Sequence, residues 1–170
     1  TLHLLDLKGY DIMNILARCV LELYIFDDNP NETSSENMMR QSLQLISQFP
    51  TIIAYAYNAL RHNQGKSLHI HHPKEGMSLA ENFLRMIKGK KYTALDVKIL
   101  DLAMMVHADH GGGNNSTFTV RVTSSTKTDI YSSITAGIAS LKGSLHGGAN
   151  HQVVNMLNDI KENVKDWKNV

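Results

Sequence analysis

His107-Ala108-Asp109-His110-Gly111-Gly112-Gly113-Asn114-Asn115-Ser116 opens, and Leu141-Lys142-Gly143-Ser144-Leu145-His146-Gly147-Gly148-Ala149-Asn150 closes, the stretch whose reading decides the fold. Each block sets histidine beside glycines and then an asparagine able to cap a helix. Imidazoles and free backbone N–H groups can therefore converge on one anion, such as a carboxylate or an enolate. Just after the first block lies Thr117-Phe118-Thr119-Val120-Arg121-Val122-Thr123, which alternates and is rich in β-branched residues. Propensity alone makes this segment a strand. The periodicity on both sides is helical.

Working outward, Asp129 is placed to cap a helix carrying Ile130, Ile134, Ile138 and Leu141, with Ala136, Gly137, Ala139 and Ser140 small enough for another helix to approach closely. That helix ends at Gly143. Asn150 is expected to cap a last helix bearing Val153, Val154, Leu157 and Ile160. Upstream, Thr93 with Asp96 starts a helix through Leu95, Ile99, Leu102, Ala103 and Val106 that delivers His107, and Ser78 to Glu81 forms a capping box before Phe83, Leu84 and Ile87. Residues 12–24 place Ile12, Ile15, Leu16, Cys19, Val20, Leu23 and Tyr24 at offsets of three and four behind Asp11, and Phe26 to Asn31 form a turn. Thr33-Ser34-Ser35-Glu36 reads as a further capping box, and Phe49-Pro50 as a corner before a separate helix at 51–61.

Three local patterns invite a sharper reading and lose to a plainer one. Asn63-Gln64-Gly65-Lys66-Ser67 resembles the tail of a phosphate-binding loop, but Leu60 stands where the first glycine belongs and no strand precedes it, so it is a loop. His69, His71 and His72 could bind a transition metal, yet no cysteine or second ligand pair lies at the spacing a zinc site needs. Lys88-Gly89-Lys90-Lys91 suits a helix C-terminus, where cations complement the macrodipole. His107 and His110 lie three apart, whereas the zinc helix motif needs a spacing of four and an intervening glutamate, so no metal site is expected.

In 170 residues, 17 Lys and Arg balance 16 Asp and Glu, so no long-range field draws the chain to nucleic acid or an acidic membrane. No apolar run is long enough to span a bilayer. The lone Cys19 precludes an internal disulfide and fits a reducing, cytoplasmic setting. The chain opens on Thr1-Leu2-His3 without methionine, and is expected to be a piece of a longer protein.

Both glycine-histidine blocks, in order and at this distance, resemble the HADHxxxN and LxGxLHGxAN hallmarks of the citrate synthase family. Tyr24-Ile25-Phe26-Asp27 and Phe49-Pro50-Thr51-Ile52-Ile53-Ala54 also look like its large-domain helices. The resemblance implies an all-α fold, with 1–145 in the large helical domain and 146–170 forming the hinge and first helix of the small domain. It turns 117–123 into a helix of a homodimer core, against local propensity.

What the resemblance implies for chemistry is condensation of acetyl-CoA, a co-substrate rather than a bound cofactor, with oxaloacetate to give citrate. His146 matches the histidine that acts on the thioester carbonyl oxygen, His110 the one that hydrogen-bonds oxaloacetate, and His107 and Asn114 neighbouring positions that orient the substrate loop. The family's second catalytic histidine, its general-base aspartate and its oxaloacetate-clamping arginines have no match here, so the chain is expected to be inactive alone. A 2-methylcitrate synthase using propionyl-CoA is the near alternative. From another class, the rival is a non-catalytic helical or metal-binding module whose histidines are incidental.

Overall fold

Every regular element in the computed structural model, which describes residues 11–164, is helical. Both Thr1-Leu2-His3 and the closing Asp166 to Val170 lie outside the described residues. In chain order the helices are α1 (Ile12–Glu22), a 3-10 turn at Leu23–Phe26, α2 (Ser35–Asn63), α3 (Leu79–Lys88), α4 (Ala94–Ala108), α5 (Asn115–Ser124), α6 (Ile130–Lys142) and α7 (Gly148–Asn163). Side chains start most of them. Asp11 accepts from the Met13 N–H, Ser78 from Glu81, Asn114 from Thr117 and Asp129 from Ser132, while Thr93 and Asp96 form a reciprocal capping box.

The β-looking segment 117–123 lies in α5. Its threonines are accommodated within the helix, since the Thr119 hydroxyl donates to the Asn115 carbonyl at 2.8 Å and that of Thr123 to the Thr119 carbonyl at 2.8 Å. Packing supplies the rest. Gly137 of α6 is buried against α5, where an added Cβ would come within 2.6 Å of Val120 Cγ2 and 3.5 Å of the Ser116 carbonyl oxygen. The close approach expected from the small residues of α6 is thus made within the chain, against α5.

Three expectations need correction. There is no corner at Pro50, because α2 runs unbroken from Ser35 to Asn63 with Pro50 buried inside it. Proline withholds one N–H from the ladder, a local cost of about 3 kcal/mol. Leu45, Phe49, Ile52 and Ile53 all pack on one core as a continuous helix, and that burial outweighs the lost bond. The cap of α2 is Ser34 rather than Thr33, and it bonds the Asn37 N–H at 3.3 Å, so Glu36 falls one place short of the box position. Helix α7 starts at Gly148 with Asn150 already its third residue, because the turn in which Gly143 accepts from the His146 and Gly147 N–H groups has redirected the chain before Asn150.

Leu16 and Val20 of α1, Leu45 of α2, and Ile130, Tyr131 and Ile138 of α6 form the central core, edged by Phe49, Ile52, Ile53 and Ile134. A buried polar knot fastens this core to the loop after α1. The Asp27 carboxylate, 1% exposed, accepts from Tyr131 Oη at 2.6 Å, Gln41 Nε2 at 2.9 Å, the Asn29 N–H at 2.9 Å and Arg40 Nη2 at 2.7 Å. Burial alone would raise this carboxyl, but the bonds from Tyr131, Asn29, Gln41 and Arg40 outweigh it and hold Asp27 well below the usual carboxylate range. Tyr131 is pushed up by burial and by the carboxylate it serves.

By contrast, α4 and α7 leave apolar faces open. Leu95, Ile99, Leu102, Met105 and Val106 are exposed on the first, and Val153, Val154 and Leu157 on the second. None of the described helices is long and apolar enough to cross a membrane.

Candidate active site

Two segments distant in sequence meet where α5 begins. The first is the loop 109–114, which follows the end of α4, turns with the Asn114 N–H donating to the Gly111 carbonyl at 3.1 Å, and enters α5 through the Asn114 cap. The second is the turn 143–147 after α6. Gly147 lies so close to the Leu141 carbonyl oxygen that a Cβ there would collide with it, so this glycine lets the chain fold back tightly over the end of α6.

The fold-back seats His146, half-buried, on Ser116, and its Nε2 lies 3.3 Å from the Ser116 N–H and 3.1 Å from Ser116 Oγ. A backbone N–H can only donate, so Nε2 is the acceptor. In the neutral ring the proton is then on Nδ1, which is left as the donor edge. Ser116 Oγ also lies 2.7 Å from Asn114 Oδ1, the same oxygen that caps α5 through the Thr117 N–H. Ser116 thus meets both neighbours: its N–H donates to His146 Nε2, and its one hydroxyl proton goes to Asn114 Oδ1 or to that Nε2, not to both. A companion contact from Ser140 Oγ to Asn115 Oδ1 at 3.1 Å ties α6 to the same helix start.

His107 stands on the last turn of α4 and is exposed, with Nδ1 2.8 Å from the Ala103 carbonyl. The carbonyl must accept, so Nδ1 carries the proton and the ring is held to its own helix. His110 is exposed in the glycine loop, and among the described residues neither histidine hydrogen-bonds to His146. The structure therefore joins Ser116 to both Asn114 and His146, and leaves His107 and His110 exposed.

Sequence reasoning gave no role to Ser116 or Arg121. A Cβ on Gly112 would lie 3.2 Å from Arg121 Nη1, which sets that guanidinium against the glycine loop. The helical period is the signal for it, because on a helix Arg121 lies one turn beyond Thr117, whereas in a strand reading it is only one of an alternating set. Nothing local marks Ser116, whose partner is 30 residues away.

His72 Nδ1 meets Tyr55 Oη at 2.7 Å, and the His69 and His71 rings lie nearly parallel at 7°. Among the described residues no three His, Cys, Asp or Glu side chains converge where a metal ion could sit.

Comparison with known proteins gives this geometry a setting. The sequence model of the family described as citrate synthase, C-terminal domain, matches residues 2–169. The citrate synthase of Deinococcus radiodurans is 40% identical over 90% of this chain and 39% of its own length, and 2-methylcitrate synthase 1 of Corynebacterium glutamicum is 33% identical over 91% and 41%. The crystal structure of citrate synthase from Pyrobaculum aerophilum superposes with a TM-score of 0.81 at 32% identity, covering 92% of this chain and 40% of that one. The chain spans about two fifths of the length of the curated relatives it matches.

Proposed function

Because the chain belongs to the citrate synthase family, we infer that the full-length protein carrying it condenses acetyl-CoA with oxaloacetate to give citrate and CoA, the entry step of the tricarboxylic acid cycle. The observation that carries this reading is the seating of His146 on Ser116, which fixes the ring with Nδ1 as its donor edge. A hydrogen-bond donor held in place ahead of the reaction is what a developing enolate oxygen needs.

In this scheme the Nδ1–H of His146 donates to the thioester carbonyl oxygen while a carboxylate from elsewhere in the protein takes a proton from the methyl carbon. The resulting enol carbon attacks the ketone of oxaloacetate, forming a C–C bond as the ketone oxygen gains a proton. Water then cleaves the thioester of citryl-CoA to release citrate and CoA. His110, exposed in the glycine loop, hydrogen-bonds oxaloacetate, and His107 and Asn114 orient the loop around it. Acetyl-CoA enters and leaves as a co-substrate, and no permanently bound cofactor is required.

The domain division at 145/146 has support in α7, where residues 151–164 are exposed apart from half-buried Ile160, as suits a helix whose partners belong to a small domain. A homodimer fits the apolar residues left open on α4 and α5, including Leu102, Met105, Phe118 and Val122. Gly137 of α6 is buried against α5 within the chain, whereas Ala139 of the same helix is exposed. A cytoplasmic location fits the single unpaired Cys19.

The second reading, a 2-methylcitrate synthase, is favoured by the relative of that name. Release of CoA by the full-length protein, followed with oxaloacetate and either acetyl-CoA or propionyl-CoA, separates the two. A clear preference for acetyl-CoA is expected. Preference for propionyl-CoA would transfer the assignment to the second reading, and release with neither would overturn both.

A further inference from the structure

The loop between α4 and α5 carries His110, yet little holds it. Residues 110–113 are exposed, three of them are glycines, and among the described residues the one hydrogen bond they make is from the Asn114 N–H to the Gly111 carbonyl at 3.1 Å. Glycine gives a chain more conformational freedom than any other residue, so a loop built this way does not by itself keep His110 in one place. A Cβ added at Gly111 or Gly113 would meet nothing within 4 Å. Gly112 is the exception, because a Cβ there would lie 3.2 Å from Arg121 Nη1 and within 4 Å of nothing else beyond its chain neighbours.

The helix dipole does not account for where Arg121 reaches. A cation in the last turn of α5 would complement the carbonyls at that end. The Arg121 side chain instead runs back along α5, the direction in which helical side chains lean, and brings Nη1 against a residue that precedes the Asn114 cap. Its charge therefore sits toward the positive end of its own helix, where the dipole opposes it. No carboxylate offsets this, since among the described residues the guanidinium has neither an ion pair nor a hydrogen bond. What the placement does is cover the middle of the glycine loop.

We propose that Arg121 is a positioning residue, whose guanidinium packs over Gly112 and holds the glycine loop so that His110 is presented to oxaloacetate. Glycine at 112 lets the guanidinium come up to the backbone, and a broad, planar, weakly hydrated head suits such a contact better than an ammonium does. The inference rests on the role given above to His110. Direct pairing of Arg121 with a substrate carboxylate is the competing use of the same charge, and the variants below separate the two.

Calorimetric titration of oxaloacetate into the full-length protein, alongside steady-state rates, tests it. Arg121→Ala should weaken oxaloacetate by about tenfold, as for a loop that is competent roughly a tenth of the time, while kcat at saturating oxaloacetate changes by less than about twofold. Arg121→Lys keeps the charge but not the planar head, and should recover little of the loss. With His110→Ala already in place, Arg121→Ala should weaken oxaloacetate by less than about twofold more, because the two act through one contact. The thermal midpoint should stay where it is, since Arg121 is exposed. Parental affinity in Arg121→Lys would overturn the proposal by showing that charge toward the substrate is enough, and so would losses that add to those of His110→Ala or a midpoint that falls with the affinity. If His110→Ala alone left oxaloacetate binding unchanged, the role of His110 would fall and the proposal with it. A loss in His110→Ala with none in Arg121→Ala would overturn the proposal alone.

Discussion

The two ends of α6 are fastened in opposite ways. At its start Tyr131 reaches a carboxylate that is 1% exposed and accepts four hydrogen bonds, so Asp27 has little capacity left for anything else. At its far end the chain turns back through Gly143 and Gly147 and sets His146, half-buried, against one backbone N–H and one hydroxyl, leaving Nδ1 with no partner among the described residues. The first arrangement is closed and holds helices together. The second holds a ring in place while leaving one polar edge without a partner among the described residues. Four side-chain and backbone groups locked on a buried charge are a reason for the fold to be rigid; one spare donor is a reason to expect a substrate.

That contrast predicts where substitutions will register, and the largest effect belongs to the open end. In the full-length protein His146→Gln should lower kcat by a factor on the order of 10² to 10⁴, as for the loss of a general acid or oxyanion donor, while oxaloacetate still binds and the unfolding midpoint barely moves. Near-parental turnover would remove His146 from the chemistry.

Asp27→Asn should show the reverse pattern. Breaking a buried charge pair costs about 3–5 kcal/mol when one partner is left uncompensated, and the lower end applies because the Arg40 side chain is 47% exposed. Denaturant unfolding of the chain measures it. A loss under about 1 kcal/mol would mean that the knot is dispensable and that the contrast between the ends fails.

Two effects of intermediate size sharpen the picture. In the proposed scheme His110 donates to oxaloacetate, so in the full-length protein His110→Ala should weaken oxaloacetate binding by about 1.5–3 kcal/mol with folding unaffected. Tyr131→Phe removes a donor to a charged acceptor, so stability should fall by a similar ~1.5–3 kcal/mol with substrate binding unaffected. The pH dependence has a definite sign. Asp27 is depressed in the folded state, so its contribution is complete above the unfolded carboxyl value near ~4 and is lost as the pH falls below it. Tyr131 is raised, so its contribution is complete below the unfolded phenol value of ~10 and is lost above it. Thermal unfolding should therefore be level between these limits and decline outside them, with the acid decline shallower in Asp27→Asn.

How much of this was legible beforehand depended on distance along the chain. Caps at Asp11, Ser78, Thr93, Asn114 and Asp129 act over two or three residues, and local pattern finds them. Pro50 misled because proline's local penalty is visible in sequence while the core that overrides it, from Leu16 to Ile138, is not. Segment 117–123 is the same conflict, resolved correctly only because the flanking motifs resembled a helical family. The Asp27 knot joins residues 14 and 104 apart, and the Ser116–His146 contact spans 30. No periodicity announces such pairs. The histidine motifs single out His146, but not which atom of its ring is held.

Ser116→Ala should produce the smallest effect, and it tests the contrast most finely. At the Asp27 end, deleting the carboxylate removes every bond in the knot at once. At the His146 end, the bond to Nε2 comes from the Ser116 backbone N–H at 3.3 Å, and alanine keeps that donor while removing only the hydroxyl 3.1 Å away. A neutral hydrogen bond contributes about 0.5–1.5 kcal/mol, so kcat should fall by no more than about tenfold. Ser116→Thr, which restores a hydroxyl, should recover part of the loss, and unfolding free energy should change by less than about 1 kcal/mol in either variant. If Ser116→Ala instead lost as much activity as His146→Gln, the hydroxyl rather than the backbone would be what aims the ring. The far end of α6 would then rest on side chains as completely as the near end does.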